Sequence, residues 1–346
     1  MIVVLTPHAT TDEILHVEEN IRELGYEPHV IRGVVRTVIA AVGDETTQRS
    51  LEILAGLPMV EKVIPIQKRY KLVSREASPE TTRVRVGPHE IGGPVFHVMA
   101  GPCSVESLDQ TLSTARAVAR AGATFLRGGA FKPRTSPYDF QGLGNEALDI
   151  LRQAREATGL PVVSEVIRET DLPRMAESVD ILQIGARNAL NYSLLEAIAG
   201  AHKPILLKRG SASTVEEWLL AAEYLAKNGN PNVILCERGI RTFEKATRNT
   251  LDLSAVALAK LECNLPVIVD PSHAAGRHDL IKALSCAAVA VGADGLIIEV
   301  HEHPEDACSD GPQQLTHDQF SELMQAIQPF VVAAGRRLTI TPTPQT

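Results

Sequence analysis

Hydrophobic and polar positions follow two different patterns along this chain. From residue 95 onward, short and nearly continuous apolar runs recur eight times: VFHVMAG, TFLRGG, PVVSEV, DILQIGA, PILLKRG, NVILCERG, PVIVDPS and GLIIEV. Unbroken apolarity is what parallel strands need when both of their faces are covered. Between the runs lie stretches such as TLSTARAVARAG, NEALDILRQAREATG and TVEEWLLAAEYLAKNG. Their apolar residues fall three and four apart, the spacing of amphipathic helices. Eight strand–helix units predict an α/β fold, a (β/α)8 TIM barrel over residues 95–338. A doubly wound sheet is the alternative, but no GxGxxG follows the first strand.

Residues 1–67 are patterned differently. MIVVLT reads as a strand, and Thr10 to Glu13 open a helix with Ile14, Val17, Ile21 and Leu24 on one face. EPHVIRG and VRTVIAAVG read as two further strands, residues 46–56 as a helix, and VEKVIPIQ as a last strand. The order βαββαβ is that of a ferredoxin-like unit. Residues 68–94, with TRVRVG and Gly92-Gly93-Pro94, are expected to form a linker with a short hairpin, and 339–346 a tail.

Composition narrows the partners. A net charge of −8 argues against nucleic acid as the main partner. No apolar run approaches the roughly 20 residues that span a bilayer, so no membrane partner is expected. The N-terminus lacks a basic segment before its apolar run and reads as a strand rather than a signal peptide. Five scattered cysteines point to a reduced, cytoplasmic protein. Cys236, Cys263 and Cys286 lie in apolar stretches and read as buried small hydrophobes.

The unusual polar residues all fall at or just after the strand ends, the face where barrel enzymes place their sites. Cys103 in AGPCSVES, His273 in VDPSHAAG, Glu299 in LIIEVHEH and Asp310 in CSDG are residue types that ligate a divalent metal. The bland readings are a structural thiol, a satisfied loop histidine and a turn aspartate, but Glu299 ends an apolar run where an unpaired carboxylate is costly. Together on one face the four make a mixed set suited to Mn²⁺, Fe²⁺, Co²⁺ or Zn²⁺, with Mn²⁺ the first expectation. His301 and His303 are spares.

Arg127, Lys132, Arg187, Lys208 and Arg238 occupy the same face. Ion pairs with Glu165, Glu237 or Asp270 would satisfy some of them. The surplus suits a phosphate and a carboxylate. The stretch KPRTSPYDFQGLG, residues 132–144, is long for a connection between strand and helix. Its Arg134, Thr135 and Ser136 could hold a second phosphate.

GPCSVES, FLRGGAFKPRTSPYDFQG, IGARN, LLKRG, CERGIRTFE, VDPSHAAG and IIEVHEHPEDACSDGPQQL together resemble the type I-beta 3-deoxy-D-arabino-heptulosonate 7-phosphate (DAHP) synthases. Residues 1–67 resemble, by element order, the regulatory domain found in one branch of that group. The resemblance implies condensation of phosphoenolpyruvate with erythrose 4-phosphate to DAHP and phosphate. It implies one metal on Cys103, His273, Glu299 and Asp310. Arg127, Lys132, Arg187, Lys208 and Arg238 would hold phosphoenolpyruvate, with Arg134 and Thr135 on the aldose phosphate. Lys132 would protonate the forming alkoxide, and Glu165 is a candidate to orient or deprotonate the attacking water. Feedback by tyrosine or phenylalanine and a homotetramer are further expectations. So is an inactivating disulfide between Cys103 and Cys308 on oxidation.

Other readings are weaker on the sequence, and the sialic-acid synthases, which share the chemistry, match far less of this chain. A 3-deoxy-manno-octulosonate 8-phosphate synthase typically carries a KANRSS-type sequence in place of KPRTSP, and usually lacks an N-terminal domain. A non-enzymatic sensor would have lost a ligand or a clamp residue, and every position is occupied. A chorismate mutase fusion would be all-helical over residues 1–67, which instead show four strand-like runs.

Overall fold

The computed structural model describes residues 1–33, 35–43, 50–64, 69–134 and 136–339. The chain divides into two units, Met1–Arg69 and Tyr70–Thr346.

The first unit runs β1 (Ile2–Leu5), α1 (Thr11–Glu23), β2 (Glu27–Arg32), β3 (Thr37–Val42), a 3₁₀ helix (Leu51–Gly56) and β4 (Val60–Ile64). Its antiparallel sheet has the order β2-β3-β1-β4, as the ferredoxin-like reading requires. Thr10 starts α1 with a reciprocal capping box to Glu13. Ile14, Val17 and Ile21 then face Val3, Leu5 and Ile39 in one apolar cluster. The helix expected over 46–56 is a 3₁₀ helix in its described part, and residues 44–49 lie outside the described residues. Pro58 drives the preceding Leu57 to an extended ψ of 133°, which stops any continuation.

The second unit opens with a hairpin, β5 (Val84–Val86) and β6 (His89–Ile91). Eight parallel strands follow: β7 (Val95–Gly101), β8 (Phe125–Arg127), β9 (Val162–Val166), β10 (Ile181–Ile184), β11 (Ile205–Lys208), β12 (Val233–Glu237), β13 (Val267–Val269) and β14 (Gly295–Glu299). Each pairs with the next, and β14 pairs with β7 from Gly295–His97 to Glu299–Gly101, closing the barrel. The outer helices are α2 (Leu108–Arg120), α3 (Asn145–Thr158), α4 (Leu172–Ser178), α5 (Tyr192–Ala199), α6 (Val215–Lys227) and α7 (Leu253–Glu262). The ring is completed by a one-turn α8 (Pro271–Ala275), α9 (Ile281–Ala290) and α10 (His317–Ala333). A two-residue β15 (Arg337–Leu338) pairs with the start of β7.

Alternation along the strands sorts side chains into two layers. Met99, Phe125, Val163, Leu206, Ile234 and Ile268 fill the barrel interior, where Val84, Val86 and Ile91 of the hairpin join them. Glu90 O lies 3.0 Å from His97 Nε2 near the start of β7, so the hairpin plugs the N-terminal end. Alternate residues pack outward on the helices around the buried Trp218, whose indole N–H donates to Leu207 O. The C-terminal ends are left open for the site. Cys236 and Cys263 are buried, but Cys286 is only part-buried, because it sits where α9 meets α10 and its thiol faces Ala326 O. No helix among the described residues is long and apolar enough to cross a membrane.

Candidate active site

The strand ends bring three donor atoms together. Ligand atoms of Cys103, Glu299 and Asp310 lie within 4.8 Å of one another. His273 stands beside this group, with Nε2 3.4 Å from Glu299 Oε1. Its other ring nitrogen is 2.7 Å from Asp270 Oδ2. Asp270 also caps α8 by accepting the His273 N–H, so one buried carboxylate fixes both the backbone and the ring. A histidine held this way keeps its second nitrogen directed at the site. His301 pairs with Glu106 at 3.5 Å and His303 is exposed, so neither joins the donor group. A thiol, two carboxylates and an imidazole fit a divalent first-row metal without selecting one. Cys103 and Cys308 are both free thiols.

Two cations press against these donors. Arg127 Nη1 donates to Glu299 Oε1 at 2.7 Å and to Pro102 O at 2.9 Å. Lys132 Nζ lies 3.0 Å from Cys103 Sγ and 3.1 Å from Cys103 O. Burial and the nearby Glu299 push the Cys103 thiol up to about 11, against the pull of Lys132. Burial would also raise Glu299, but His273, Arg127 and Lys132 hold it far below the usual carboxylate range. Burial would lower Lys132, yet Cys103 and Glu299 raise it above an ordinary lysine. The two carboxylates are kept charged by the cations around them, and a divalent ion would also draw the proton from the Cys103 thiol.

A cavity of about 360 Å³ opens beside the donors. Seven lysine and arginine side chains line it (Lys132, Arg134, Arg187, Lys208, Arg238, Arg241 and Arg248) against three acids, Asp139, Glu165 and Asp310. Arg127 is not in the lining; it stands behind, on Glu299. Lys208 Nζ donates to Asp270 Oδ2 at 2.5 Å. Arg187 Nη1 donates to Pro133 O at 2.5 Å, tying the KPRT stretch to the β10 end. Arg134 lies 3.4 Å from the half-exposed Asp139. Thr135 falls outside the described residues. Of the three acids expected to neutralise the cations, only Asp270 does so. Glu237 turns to Arg209 at 3.0 Å and to the Gly239 N–H at 2.7 Å. Glu165 accepts from Gln183 Nε2 at 3.2 Å. Arg238 forms no ion pair among the described residues, and burial lowers its pKa. The cation surplus is therefore larger than expected.

Arg241, Arg248 and Asn249 come from the connection between β12 and α7, and Gln313 from the GPQQL segment. None was singled out from the sequence. The length of the 238–252 connection was one signal, and the CERGIRTFE and GPQQL segments, which hold Arg241 and Gln313, were another.

The sequence model of the DAHP synthetase I family matches residues 81–332. That of the DAHP synthase ferredoxin-like domain matches residues 1–68. The chain is 50% identical over 335 residues to phospho-2-dehydro-3-deoxyheptonate aldolase of Thermotoga maritima, covering 97% of this chain and 99% of that one. The crystal structure of phospho-2-dehydro-3-deoxyheptonate aldolase (DAHP synthase) from Thermotoga maritima superposes with a TM-score of 0.91, at 48% identity, over 97% of this chain and 98% of that one. A 2-dehydro-3-deoxyphosphooctonate aldolase of Acidithiobacillus ferrooxidans is 32% identical over 253 residues, covering 67% of this chain and 88% of that one.

Proposed function

We infer from its membership of the DAHP synthetase I family, to which this chain belongs, that it condenses phosphoenolpyruvate with erythrose 4-phosphate. The products are DAHP and inorganic phosphate, the first committed step of the shikimate pathway. One observation supports this reading beyond the likeness: a cavity lined by seven cations also has His273 and Asp310 in its wall, and Asp310 belongs to the Cys–Glu–Asp donor group. Two phosphorylated anions and one divalent metal meet those demands. The octulosonate synthase is the weaker alternative, since its relative matches two thirds of the chain at 32% identity.

Cys103, His273, Glu299 and Asp310 hold the metal, with Mn²⁺ first and Zn²⁺, Fe²⁺ or Co²⁺ as alternatives. When bound it supplies Lewis acidity toward the aldehyde oxygen. Lys132, Arg187, Lys208 and Arg238 clamp phosphoenolpyruvate, with Arg127 supporting them from behind. Arg134 and Thr135 take the erythrose 4-phosphate side. C3 of phosphoenolpyruvate attacks the aldehyde carbon, and Lys132, kept protonated by its anionic neighbours, gives a proton to the forming alkoxide. Water adds to the electron-poor C2. Glu165 accepts the water's proton; Gln183 donates to its Oε2, and Glu165 lines the cavity. The C2–O bond to phosphate then breaks and phosphate leaves. The cation ring offsets repulsion between the two substrates throughout.

Residues 1–67 act as a regulatory domain that binds tyrosine or phenylalanine, residues 68–94 connect it, and 95–338 form the catalytic barrel. The assembly is a homotetramer in the cytoplasm. An effector works here by binding two states of the enzyme unequally.

The test is phosphate release from phosphoenolpyruvate with erythrose 4-phosphate or arabinose 5-phosphate, with EDTA and Mn²⁺ controls, repeated with each aromatic amino acid. Erythrose-dependent, EDTA-sensitive turnover is expected, with inhibition that disappears when residues 1–67 are deleted. Turnover with arabinose 5-phosphate alone would move the chain to the octulosonate synthases.

A further inference from the structure

The two carboxylates of the donor group belong to different segments. Glu299 ends β14, and Asp310 lies in the loop beyond it with φ at +49°. Aspartate tolerates this left-handed conformation better than most residues, and its carboxylate takes its anchoring from outside its own backbone. Gln313 and Arg248 supply that anchoring. Gln313 Nε2 donates to Glu299 Oε2 at 2.6 Å and lies 3.5 Å from Asp310 Oδ2. Gln313 Oε1 accepts from Arg248 Nη1 at 2.9 Å, and the same nitrogen donates to Asp310 Oδ2 at 3.1 Å.

The chemistry of the partners fixes which way the amide points. A guanidinium can only donate and a carboxylate can only accept, so the group between them must do both. Gln313 is 2% exposed, so its amide is oriented by these protein partners. Its nitrogen therefore faces Glu299 and its oxygen faces Arg248. One oxygen of Glu299 is thereby committed to Gln313. The other, Oε1, is turned toward Arg127 and His273.

Arg248 reaches this point because its segment is fastened to the one bearing His273. Arg248 N–H donates to Ala275 O at 3.0 Å, Asn249 N–H to Ala274 O at 2.8 Å, and Asn249 Nδ2 to His273 O at 3.0 Å. A Cβ on Gly276 would lie 2.5 Å from Arg248 Cβ, so glycine is what admits the approach. One stretch of the β12–α7 connection thus touches the segments of His273 and Asp310, and reaches Glu299 through Gln313.

We propose that Gln313 and Arg248 are positioning residues for the metal centre. The amide makes Glu299 present a single oxygen, and the guanidinium locks the amide and Asp310 in one arrangement. The proposal rests on the metal reading above and adds what sets the affinity and geometry of that centre.

The experiment uses the full chain without substrate. Mn²⁺ binding is measured by calorimetry, and the visible spectrum of the Co²⁺-loaded protein reports ligand geometry. Gln313→Met keeps the length and removes both hydrogen bonds. It should weaken Mn²⁺ binding about 10- to 100-fold, the usual effect of losing a group that orients a ligand, and shift the Co²⁺ bands. Arg248→Met should weaken binding in the same direction. The double variant should be little worse than Gln313→Met alone, because the two act as one relay. Gln313→Glu, which sets a carboxylate against Glu299, should bind less metal than Gln313→Met. Binding within twofold of wild type and an unchanged Co²⁺ spectrum in both single variants would overturn the proposal. If Gln313→Met fails to fold, Arg248→Met decides alone, since its side chain is 41% exposed. A wild-type chain that binds no divalent metal would instead sink the metal reading itself.

Discussion

The two ends of the barrel bury charge in opposite ways. At the floor, Asp294 is fully buried and accepts from Lys260 at 2.7 Å, Arg336 at 2.6 Å and the Val267 N–H at 2.7 Å. The carboxylate has two cations and a backbone donor, and needs nothing from outside. The hairpin β5–β6 closes that end with apolar side chains. At the mouth, seven cations face three acids around an open cavity. Cations kept in such excess are costly to the empty protein and are repaid only when anions arrive. Buried charge at the floor therefore serves the fold, while at the mouth it waits for ligand.

Exchanging the roles of the two ends should give opposite readouts. Cys103→Ala, at the mouth, should cut Mn²⁺-supported turnover at least about 10³-fold, equivalent to about 4 kcal/mol, with thermal stability close to wild type. His273→Ala should behave alike. Retained metal-dependent turnover in either would remove them from the ligand set. Asp294→Asn, at the floor, should do the reverse. It leaves Lys260 and Arg336 without their shared counter-charge and should cost roughly 3 kcal/mol of stability. Below its melting point kcat/KM should stay near wild type. A denaturation curve and a steady-state assay on each variant decide the matter, and a floor variant that lost activity while remaining folded would erase the distinction.

An effect of comparable size at the floor is set by pH. Burial pushes His97 down from 6.5 to about 4. Its Nε2 faces Glu90 O and its Nδ1 faces Thr124 Oγ1; His89, Asp294 and Arg336 are the charged or titratable groups around it. The folded protein therefore binds fewer protons than the unfolded chain between those values. Stability from this group is complete above about pH 6.5, falls as pH drops toward 4, and is lost below that, up to about 3 kcal/mol in all. His89, His273 and His317 are depressed too and add to the wild-type slope. The readout is therefore the difference between wild type and His97→Gln in denaturant midpoints at pH 7 and pH 4.5. Equal losses in both would assign the slope to other groups.

What could be read from the sequence follows the same division. The barrel was legible because its strands are covered on both faces and carry no alternation, while its helices do. Cys103 and Glu299 were legible because they lie at or just after an apolar run, and strand ends converge by topology; Asp310 lies eleven residues past β14 and was legible only within the CSDG segment. Partner choice was not legible. Glu237 lies one residue from Arg238 yet pairs with Arg209, since successive residues on a strand point to opposite sides. Gln313 and Arg248 meet across 65 positions of chain, and no local pattern encodes such a contact. The segment Leu51–Gly56 was legible as helical but not as 3₁₀, because apolar spacing over six residues does not separate a 3₁₀ turn from an α turn.

The finest distinction lies within the mouth itself, between its two anion sides. Lys208 is anchored on the buried Asp270, and that pair is nearly dry, with side chains 4% and 1% exposed. Among the described residues Arg134 pairs with Asp139, 44% exposed, at 3.4 Å. A water-screened pair of this kind contributes little by itself, so Arg134 can exchange Asp139 for a phosphate at small cost. Arg134→Ala should therefore leave the fold and the phosphoenolpyruvate side nearly intact. It should raise KM for erythrose 4-phosphate about tenfold, or about 1.4 kcal/mol. Asp139→Asn, which frees the guanidinium, should change the same KM by less and in the opposite direction. Equal rises in both substrates' KM values for Arg134→Ala would mean that the cations act as one undivided field, and the two sides of the cavity would no longer be separable.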